Sequence, residues 1–216
     1  QITQKEAVMT TVVSLALGIG LFVVIPSLIG SFVFSNNKIH SNLLEAVLRL
    51  VFFIFYIWVI SFSKDVKRVY EYHGAEHKSI YAYENGLELT PENAKKFTTL
   101  HPRCGTSFLL IVMLISIIVF SCMDFILPVP KDMLQKIIIK VVLRVIMMPV
   151  IAGISYEIQR YSSNHLDRCW VKLVAFPGLS LQRITTKEPD LDQLEVAIVA
   201  IKAALGEKVD NAREIS

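Results

Sequence analysis

Four hydrophobic runs, each long enough to cross the hydrocarbon core of a bilayer, constrain this chain more than any other feature. They extend over Val8–Phe34, Leu43–Ser63, Thr106–Leu127 and Ile137–Tyr156. Hydrophobic residues make up 53% of the 216 residues, more than a water-soluble domain of this length requires. The sequence therefore predicts an all-α membrane protein with four transmembrane helices. In the first run, Pro26 and the pair Gly18 and Gly20 predict a kink or a close helix contact.

The distribution of Lys and Arg predicts how these spans are oriented. Sixteen of the 22 basic residues lie in the N-terminal segment, the loop between the second and third runs, and the C-terminal tail, whereas three lie on the opposite side. The positive-inside rule then places both termini and the long loop in the cytoplasm. The net charge of +3, without a basic run interleaved with aromatic residues, gives no indication of nucleic-acid binding. The three scattered cysteines form no disulfide framework and suit a reducing compartment.

The spans divide the chain into four segments. These are a transmembrane hairpin at 1–63, a cytoplasmic helical loop at 64–105, a second hairpin at 106–157, and a cytoplasmic or interfacial tail at 158–216. Within the tail, Cys169–Leu181 is apolar but too short to cross a bilayer, and Pro177 and Gly178 interrupt it. We expect this segment to lie at the membrane interface or against the helix bundle.

An amphipathic helix is predicted at about residues 190–205. Asp190 can cap its first turn, Gln193 can complete a capping box, and Gly206 can end it. Its apolar stripe consists of Leu191, Leu194, Ile198, Ile201 and Leu205. Such a stripe needs a partner, which is either another part of this chain or the surface of a second copy or of another membrane protein.

The long loop carries a paired-histidine motif. No helix breaker occurs between the second run and Asn85–Gly86, so a helix is expected to continue from the second span through this region. In such a helix His73 and His77 lie one turn apart on one face, where two imidazoles can hold one ion. Glu76 completes the pattern His-x-x-Glu-His, the reversed zinc-protease motif, in which the Glu acts as general base.

A second cluster in the same loop increases the weight of this motif. His101 and Cys104 are separated by two residues, with Pro102 and Gly105 to shape the turn, which is the spacing of a metal knuckle. Imidazole and thiolate donors favour zinc over magnesium or calcium. Four protein ligands would make a closed structural site, whereas three would leave a position open for catalysis, and the sequence does not decide between them.

Several charged residues have more than one possible role. Glu157 follows the fourth run and is a candidate additional ligand or a carboxylate that orients one, but a salt bridge with Arg103 or Arg160 is an equal alternative. Arg103 can hold an anionic substrate group or pair with a carboxylate. Within the hydrophobic runs, Glu45 and Arg49 are i, i+4 partners, whereas sequence names no partner for Arg144.

Four segments together resemble the bacterial YqhQ-like membrane family, a domain of unknown function that is predicted to be metal-dependent. They are Tyr72–Lys78, His101–Phe108, Ala152–Glu157 and Gln182–Ala197. The resemblance implies a bacterial inner-membrane protein and supports the same metal residues, but it supplies no substrate. A Gly-rich segment expected near the N-terminus is missing, and the chain starts with Gln1 rather than Met. We therefore expect residues upstream of this sequence, and the site to be partial if that segment contributes to it.

Three functions follow from these observations. The first is a zinc-dependent hydrolase of a peptide or other amide, with His73, His77 and one of His101, Cys104 or Glu157 as ligands and Glu76 as general base. The second is a non-catalytic scaffold, in which zinc pins the loop and the C-terminal helix mediates self-association or docking. The third, a pore or transporter, rests on Arg144 alone.

Overall fold

The regular structure of this protein is helical throughout its described part. A computed structural model describes residues 3–34, 38–126 and 133–207, and no strand occurs in these ranges. The helices are α1 (Gln4–Ile19), α2 (Ile25–Val33), α3 (Lys38–Ile60), α4 (Lys64–Glu84), α5 (Pro91–Lys95), α6 (Gly105–Ile126), α7 (Met133–Asn164), α8 (Cys169–Thr185) and α9 (Leu191–Ala204). A π-helical turn, Gly20–Val24, joins α1 to α2.

Within the described ranges, four helical stretches are long and apolar enough to cross a membrane, which confirms the predicted fold class. They are Gln4–Val33, His40–Ile60, Gly105–Met123 and Val142–Asn164. The last stretch continues about two turns beyond Tyr156, where hydropathy predicted its end. Within this extension Gln159 and Ser162 are buried, so two polar residues that hydropathy does not count as part of a span pack against the protein. The predicted end of the third span, Leu127, and residues 208–216 of the predicted tail lie outside the described residues.

The described residues form two compact units, one within residues 1–57 and 117–128 and the other within 58–116 and 129–216. In the first unit, the close helix contact occurs at Gly30, where an added Cβ would lie 2.6 Å from Glu45 Cγ. Gly18 and Gly20, for which a contact or kink was predicted, have no such neighbour within 4 Å, although Gly20 begins the π-helical turn. The predicted pair of Glu45 and Arg49 is confirmed at 2.9 Å.

In the second unit, the expected continuity between the second span and the paired-histidine helix is wrong. The chain turns at residues 61–63, and α4 begins anew after Ser63, whose backbone is extended. No glycine or proline marks this turn in the sequence. The other end of α4 agrees with the prediction, because the helix ends at Glu84 and Gly86 adopts a positive φ of 65°.

Helix α8 is uninterrupted, so the predicted break at Pro177 and Gly178 is also wrong. A proline in a helix removes one backbone hydrogen bond, and tertiary packing can compensate for that loss. Here Gly178 packs so closely on α6 that an added Cβ would lie 2.8 Å from the Ser107 side chain. Elsewhere on α8, Trp170 and Leu173 are exposed, and the location of this helix at a membrane interface stays a prediction.

The capping box predicted for the C-terminal helix is confirmed. Asp190 accepts from the Gln193 backbone N–H at 2.8 Å, and the Gln193 side chain accepts from the Asp190 N–H at 3.0 Å. The middle of the apolar stripe packs within the chain, because Leu194 and Ile198 are buried in a small core, whereas Leu191 and Leu205 at its ends are exposed. The other buried members of that core are Ala75, Ala82 and Ala94. Self-association through this helix stays a prediction.

Helix α4 also holds the segment between α8 and α9. The Lys187 backbone N–H donates to the Tyr70 carbonyl at 2.9 Å, and an added Cβ on Gly74 would lie 2.0 Å from the Lys187 carbonyl oxygen. One turn further on, the buried Lys78 ammonium donates to the Phe97 carbonyl at 2.7 Å and pairs with Glu188 at 2.6 Å. The glycine between the two histidines is therefore required by close backbone packing.

Substitution of Gly74 tests this crossing. Alanine is the better helix former by about 1 kcal/mol, so local propensity alone would stabilise a Gly74→Ala variant. Because the new methyl group meets backbone that cannot rotate away, we expect the free energy of unfolding to fall by about 1–3 kcal/mol. The measurement is denaturant unfolding of detergent-solubilised protein. Gly153→Ala on α7 is the matched control, since its added Cβ has open space. Equal stability of the two variants would contradict the packing argument.

Candidate metal centre

A cluster of one cysteine and two histidines lies between α4 and the start of α6. His73 and His77 project from one face of α4, with ring centroids 4.4 Å apart. Cys104 precedes the first residue of α6 and is buried. The ligand atoms of the three side chains lie within 4.8 Å of one another. We call this set the His/Cys cluster, and its donor atoms could hold a metal ion.

Backbone carbonyls orient both imidazoles of the cluster. His73 Nδ1 lies 2.8 Å from the Thr185 carbonyl oxygen, and His77 Nδ1 lies 2.5 Å from that of Thr99. A carbonyl oxygen only accepts, so in both rings Nδ1 carries the proton and donates it. In the neutral ring, Nε2 then has the lone pair that can bind a metal. Such a hydrogen bond from Nδ1 is what fixes the tautomer of metal-binding histidines.

The Cys104 thiol is the most strongly perturbed group of the site. Burial disfavours its charged form, but hydrogen bonds from His73, His77 and Thr106 outweigh burial and lower the pKa of Cys104 to about 5. His73 Nε2 lies 3.2 Å from Cys104 Sγ. For His73 the effect of burial, which lowers the pKa, is outweighed by hydrogen bonds to Cys104 and to the Thr185 carbonyl, so its pKa is raised. These bonds favour the thiolate, the form that ligates metals. The bond from His73 requires a proton on Nε2, which a bound metal ion would displace.

Two buried glutamines hold the segment that carries Cys104. The Gln182 amide accepts from the His101 backbone N–H at 2.7 Å and donates to the His101 carbonyl at 2.8 Å and to Ser107 Oγ at 2.7 Å. The Gln159 amide donates to the Cys104 carbonyl at 2.8 Å. Sequence reasoning missed both residues. Gln182 lay inside one of the segments that carry the family resemblance, but nothing indicated a contact with a residue 81 positions earlier.

His101, the fourth predicted ligand, lies beside the cluster with both ring nitrogens engaged elsewhere. Its Nδ1 accepts from the Arg103 backbone N–H at 3.3 Å, and its Nε2 lies 3.4 Å from a Glu84 carboxylate oxygen. Burial lowers the pKa of His101, which favours the neutral ring. Its ring centroid is 5.6 Å from that of His77, so it packs against a cluster member without offering the cluster a nitrogen.

Arg103 pairs with Glu84. Pairing with a carboxylate was one of the two roles that the sequence allowed for this arginine. Its Nη1 lies 2.9 Å from Glu84 Oε1, and its Nη2 donates to Asn164 Oδ1 at 3.2 Å. Glu157 pairs with Arg160 at 3.5 Å on the exposed surface of α7 and is not a member of the His/Cys cluster. Of the three candidates for a third ligand, the structure therefore brings Cys104 to the two histidines.

A cavity of about 680 Å³ adjoins the cluster. All three cluster side chains line it, together with Glu76, which is exposed on α4. The negative charge of Glu76 also contributes, less than the hydrogen bonds do, to raising the pKa of His73. The predicted general base thus faces the same space as the predicted ligands.

The described residues define an all-helical fold with four helices long and apolar enough to cross a membrane and a cluster of side chains that could hold a metal ion. The chain belongs to the DUF1385 family, whose model, described as a protein of unknown function, matches residues 1–207. This confirms the predicted resemblance.

One curated relative is the uncharacterized protein YqhQ of Bacillus subtilis (strain 168). The chain is similar to it at 39% identity over 173 residues, which cover 80% of this chain and 51% of the relative. The chain therefore spans about half the length of that relative. No solved structure matches.

Proposed function

We propose that this protein is a zinc-dependent hydrolase of an amide, embedded in the bacterial cytoplasmic membrane with its metal site on the cytoplasmic side. The observation that carries the proposal is the orientation of the His/Cys cluster. Two imidazoles with protonated Nδ1 atoms and one thiolate leave three donors for a common ion. Two nitrogens and one sulfur form a set that zinc accepts readily, and the thiolate disfavours magnesium and calcium.

The number of donors supports a catalytic rather than a closed site. His101 has both nitrogens occupied, and Glu157 pairs with Arg160, so three ligands from the protein are the best-supported set. Catalytic zinc sites typically have three protein ligands. Bound zinc would supply a Lewis acid that polarises a carbonyl group and makes water a better nucleophile.

Glu76 is the residue that we assign to proton transfer. Its carboxylate lines the cavity beside the His/Cys cluster and is exposed, so a substrate and water can both reach it. As general base it takes a proton from the attacking water onto a carboxylate oxygen and then donates it to the departing amine. The amide C–N bond breaks, and the products are a carboxylate and an amine.

The cytoplasmic location rests on charge. Sixteen of the 22 Lys and Arg residues lie in the three segments that this orientation assigns to the cytoplasm. The loop with the His/Cys cluster is one of these segments. A reducing cytoplasm also suits a free thiolate ligand, since Cys104 is not in a disulfide.

A structural zinc site in a membrane scaffold is the second candidate. The cluster joins α4 to the segment before α6, and Cys104 is buried, as in sites that pin a loop. In this function Glu76 has no chemical role. The two candidates therefore differ in what a substitution of Glu76 does.

Metal content tests the ligand assignment. Wild-type protein, purified in detergent without chelators, is expected to hold about one zinc per chain, whereas His77→Ala and Cys104→Ala are expected to hold almost none. His101→Ala is expected to retain zinc, because its nitrogens do not face the cluster. The measurement is plasma mass spectrometry of the purified proteins.

The matched control for this test is His165→Ala, because His165 is only partly buried and its Nδ1 lies 2.9 Å from the Tyr161 carbonyl oxygen, not against a cluster residue. Thermal unfolding of each variant separates metal loss from loss of the fold. Equal zinc content in folded His77→Ala and wild-type protein would refute the site.

Substitution of Glu76 tests catalysis. Glu76→Gln keeps the shape of the side chain but removes its basicity, so zinc content is expected to stay unchanged while turnover falls about 100- to 10,000-fold. Turnover is measured as incorporation of ¹⁸O into new carboxylates when the protein in detergent is incubated with a bacterial membrane extract in H₂¹⁸O.

Glu157→Gln, an equal change at an exposed carboxylate outside the cavity, is expected to retain full turnover. Wild-type turnover that survives Glu76→Gln would overturn the role of Glu76. Zinc-loaded wild-type protein without ¹⁸O incorporation would favour the scaffold.

A further inference from the structure

The cavity beside the His/Cys cluster has two chemically different walls. The polar wall consists of the cluster residues and of five further polar or charged side chains, Glu76, Glu84, His101, Arg103 and Thr106. The apolar lining residues, which we call the apolar wall, are Ile80 on α4 and Phe108 and Leu109 on α6. A ligand that fits both walls must itself have a polar and an apolar part.

Two residues of the apolar wall, Phe108 and Leu109, lie in the first turns of a helix that is long and apolar enough to cross a membrane. Helix α6 has 22 residues, Gly105–Ile126, and at about 1.5 Å per residue it is about 33 Å long. This is slightly more than the roughly 30 Å thickness of the hydrocarbon core, so in a membrane Gly105 would lie at the edge of that core. Phe108 and Leu109, three and four residues further on, would then lie about 3–5 Å inside it.

The thiol of Cys104 lies just outside this stretch. Cys104 directly precedes Gly105, so in a membrane the sulfur would lie near the level of the lipid headgroups. Leu109 lines the cavity and is also 56% exposed, so the apolar wall reaches the surface of the protein at a residue that lipid would surround. In a membrane the cavity would therefore extend from the headgroup level into the acyl region.

The location of the cavity favours some ligands over others, because ligands differ in the free energy of desolvation when they enter it. A polar, water-soluble ligand that reached Phe108 and Leu109 would lose hydration, at roughly 2–7 kcal/mol for each polar group without a partner. An acyl chain that is already in the bilayer stays in apolar surroundings when it moves along the same wall. A membrane-resident molecule therefore reaches the cluster with the smaller penalty.

We propose that the cavity takes a membrane-resident amphiphile, with its amide or other carbonyl headgroup at the His/Cys cluster and its hydrocarbon chain along Phe108, Leu109 and Ile80. This rests on the proposed function, because it names the class of substrate for that site. The chain enters from the bilayer past Leu109, and the headgroup stays within reach of Glu76.

Photolabelling with a lipid-like probe tests this proposal. The full chain is reconstituted in vesicles of phosphatidylethanolamine and phosphatidylglycerol that contain N-palmitoylglycine with a diazirine in its acyl chain. After illumination, labelled residues are mapped by mass spectrometry. We expect labelling of Ile80, which excess unlabelled N-palmitoylglycine abolishes, while labelling of the exposed span residue Val150 persists. N-acetylglycine, which has the same headgroup without the chain, is expected not to compete.

Two variants locate the route of entry. Leu109→Trp fills the apolar wall and is expected to abolish labelling of Ile80, whereas Val150→Trp, an equal change at an exposed position outside the cavity, is expected to leave it unchanged. Competition by N-acetylglycine, or labelling of Ile80 that unlabelled N-palmitoylglycine does not reduce, would overturn the proposal. Both of these outcomes are read on wild-type protein, so they do not depend on the folding of a variant.

The metal and turnover measurements separate this proposal from the proposed function. Wild-type protein that binds zinc and turns over, but shows no competed labelling of Ile80, would refute only the amphiphilic substrate. If unlabelled N-palmitoylglycine competes for labelling of Ile80 on protein that holds no zinc, the result would support the lipid-facing cavity and refute the proposed hydrolase activity.

Discussion

Two hydrogen bonds from imidazole to backbone determine what this site can do. The Nδ1–H groups of His73 and His77 donate to the carbonyls of Thr185 and Thr99, and each bond leaves Nε2 as the nitrogen available to a metal. The two carbonyls come from distant parts of the chain, the end of α8 and the segment before α6. The chemistry of the cluster therefore depends on tertiary structure that brings both segments to one face of α4.

Buried polar groups hold those segments in place. Lys78 binds the carbonyls of the segment that ends at Thr99, and Gln182 binds both backbone groups of His101 three residues before Cys104. A buried polar group without a partner costs about 1–3 kcal/mol, so each of these bonds also disfavours arrangements in which it is broken. Burial of Lys78 and Gln182 thus makes the position of the cluster specific, whereas the apolar core of Leu194 and Ile198 adds stability without orienting a ligand.

The features that the sequence predicted correctly are those determined by residues close together in the chain. Hydropathy indicated the four spans, the i, i+4 spacing paired His73 with His77, and the capping box of α9 followed from Asp190 and Gln193. Features that depend on contacts between distant residues were not predictable. The carbonyls of Thr99 and Thr185 carry no side-chain signal, and the spacing of His101 gave no indication that Glu84 and Arg103 engage its ring. Two predictions were wrong for a related reason, namely that the second span continues into α4 and that the chain breaks at Pro177. Local breaker rules do not account for tertiary packing.

In the proposed site, zinc binds two imidazoles and one thiolate. X-ray absorption at the zinc edge, on protein purified in detergent, measures that set of ligands directly. We expect one sulfur at about 2.3 Å and two imidazole nitrogens at about 2.0–2.1 Å, with the remaining position filled by a light atom from solvent. A first shell without sulfur, with two sulfurs, or with three imidazoles would contradict it.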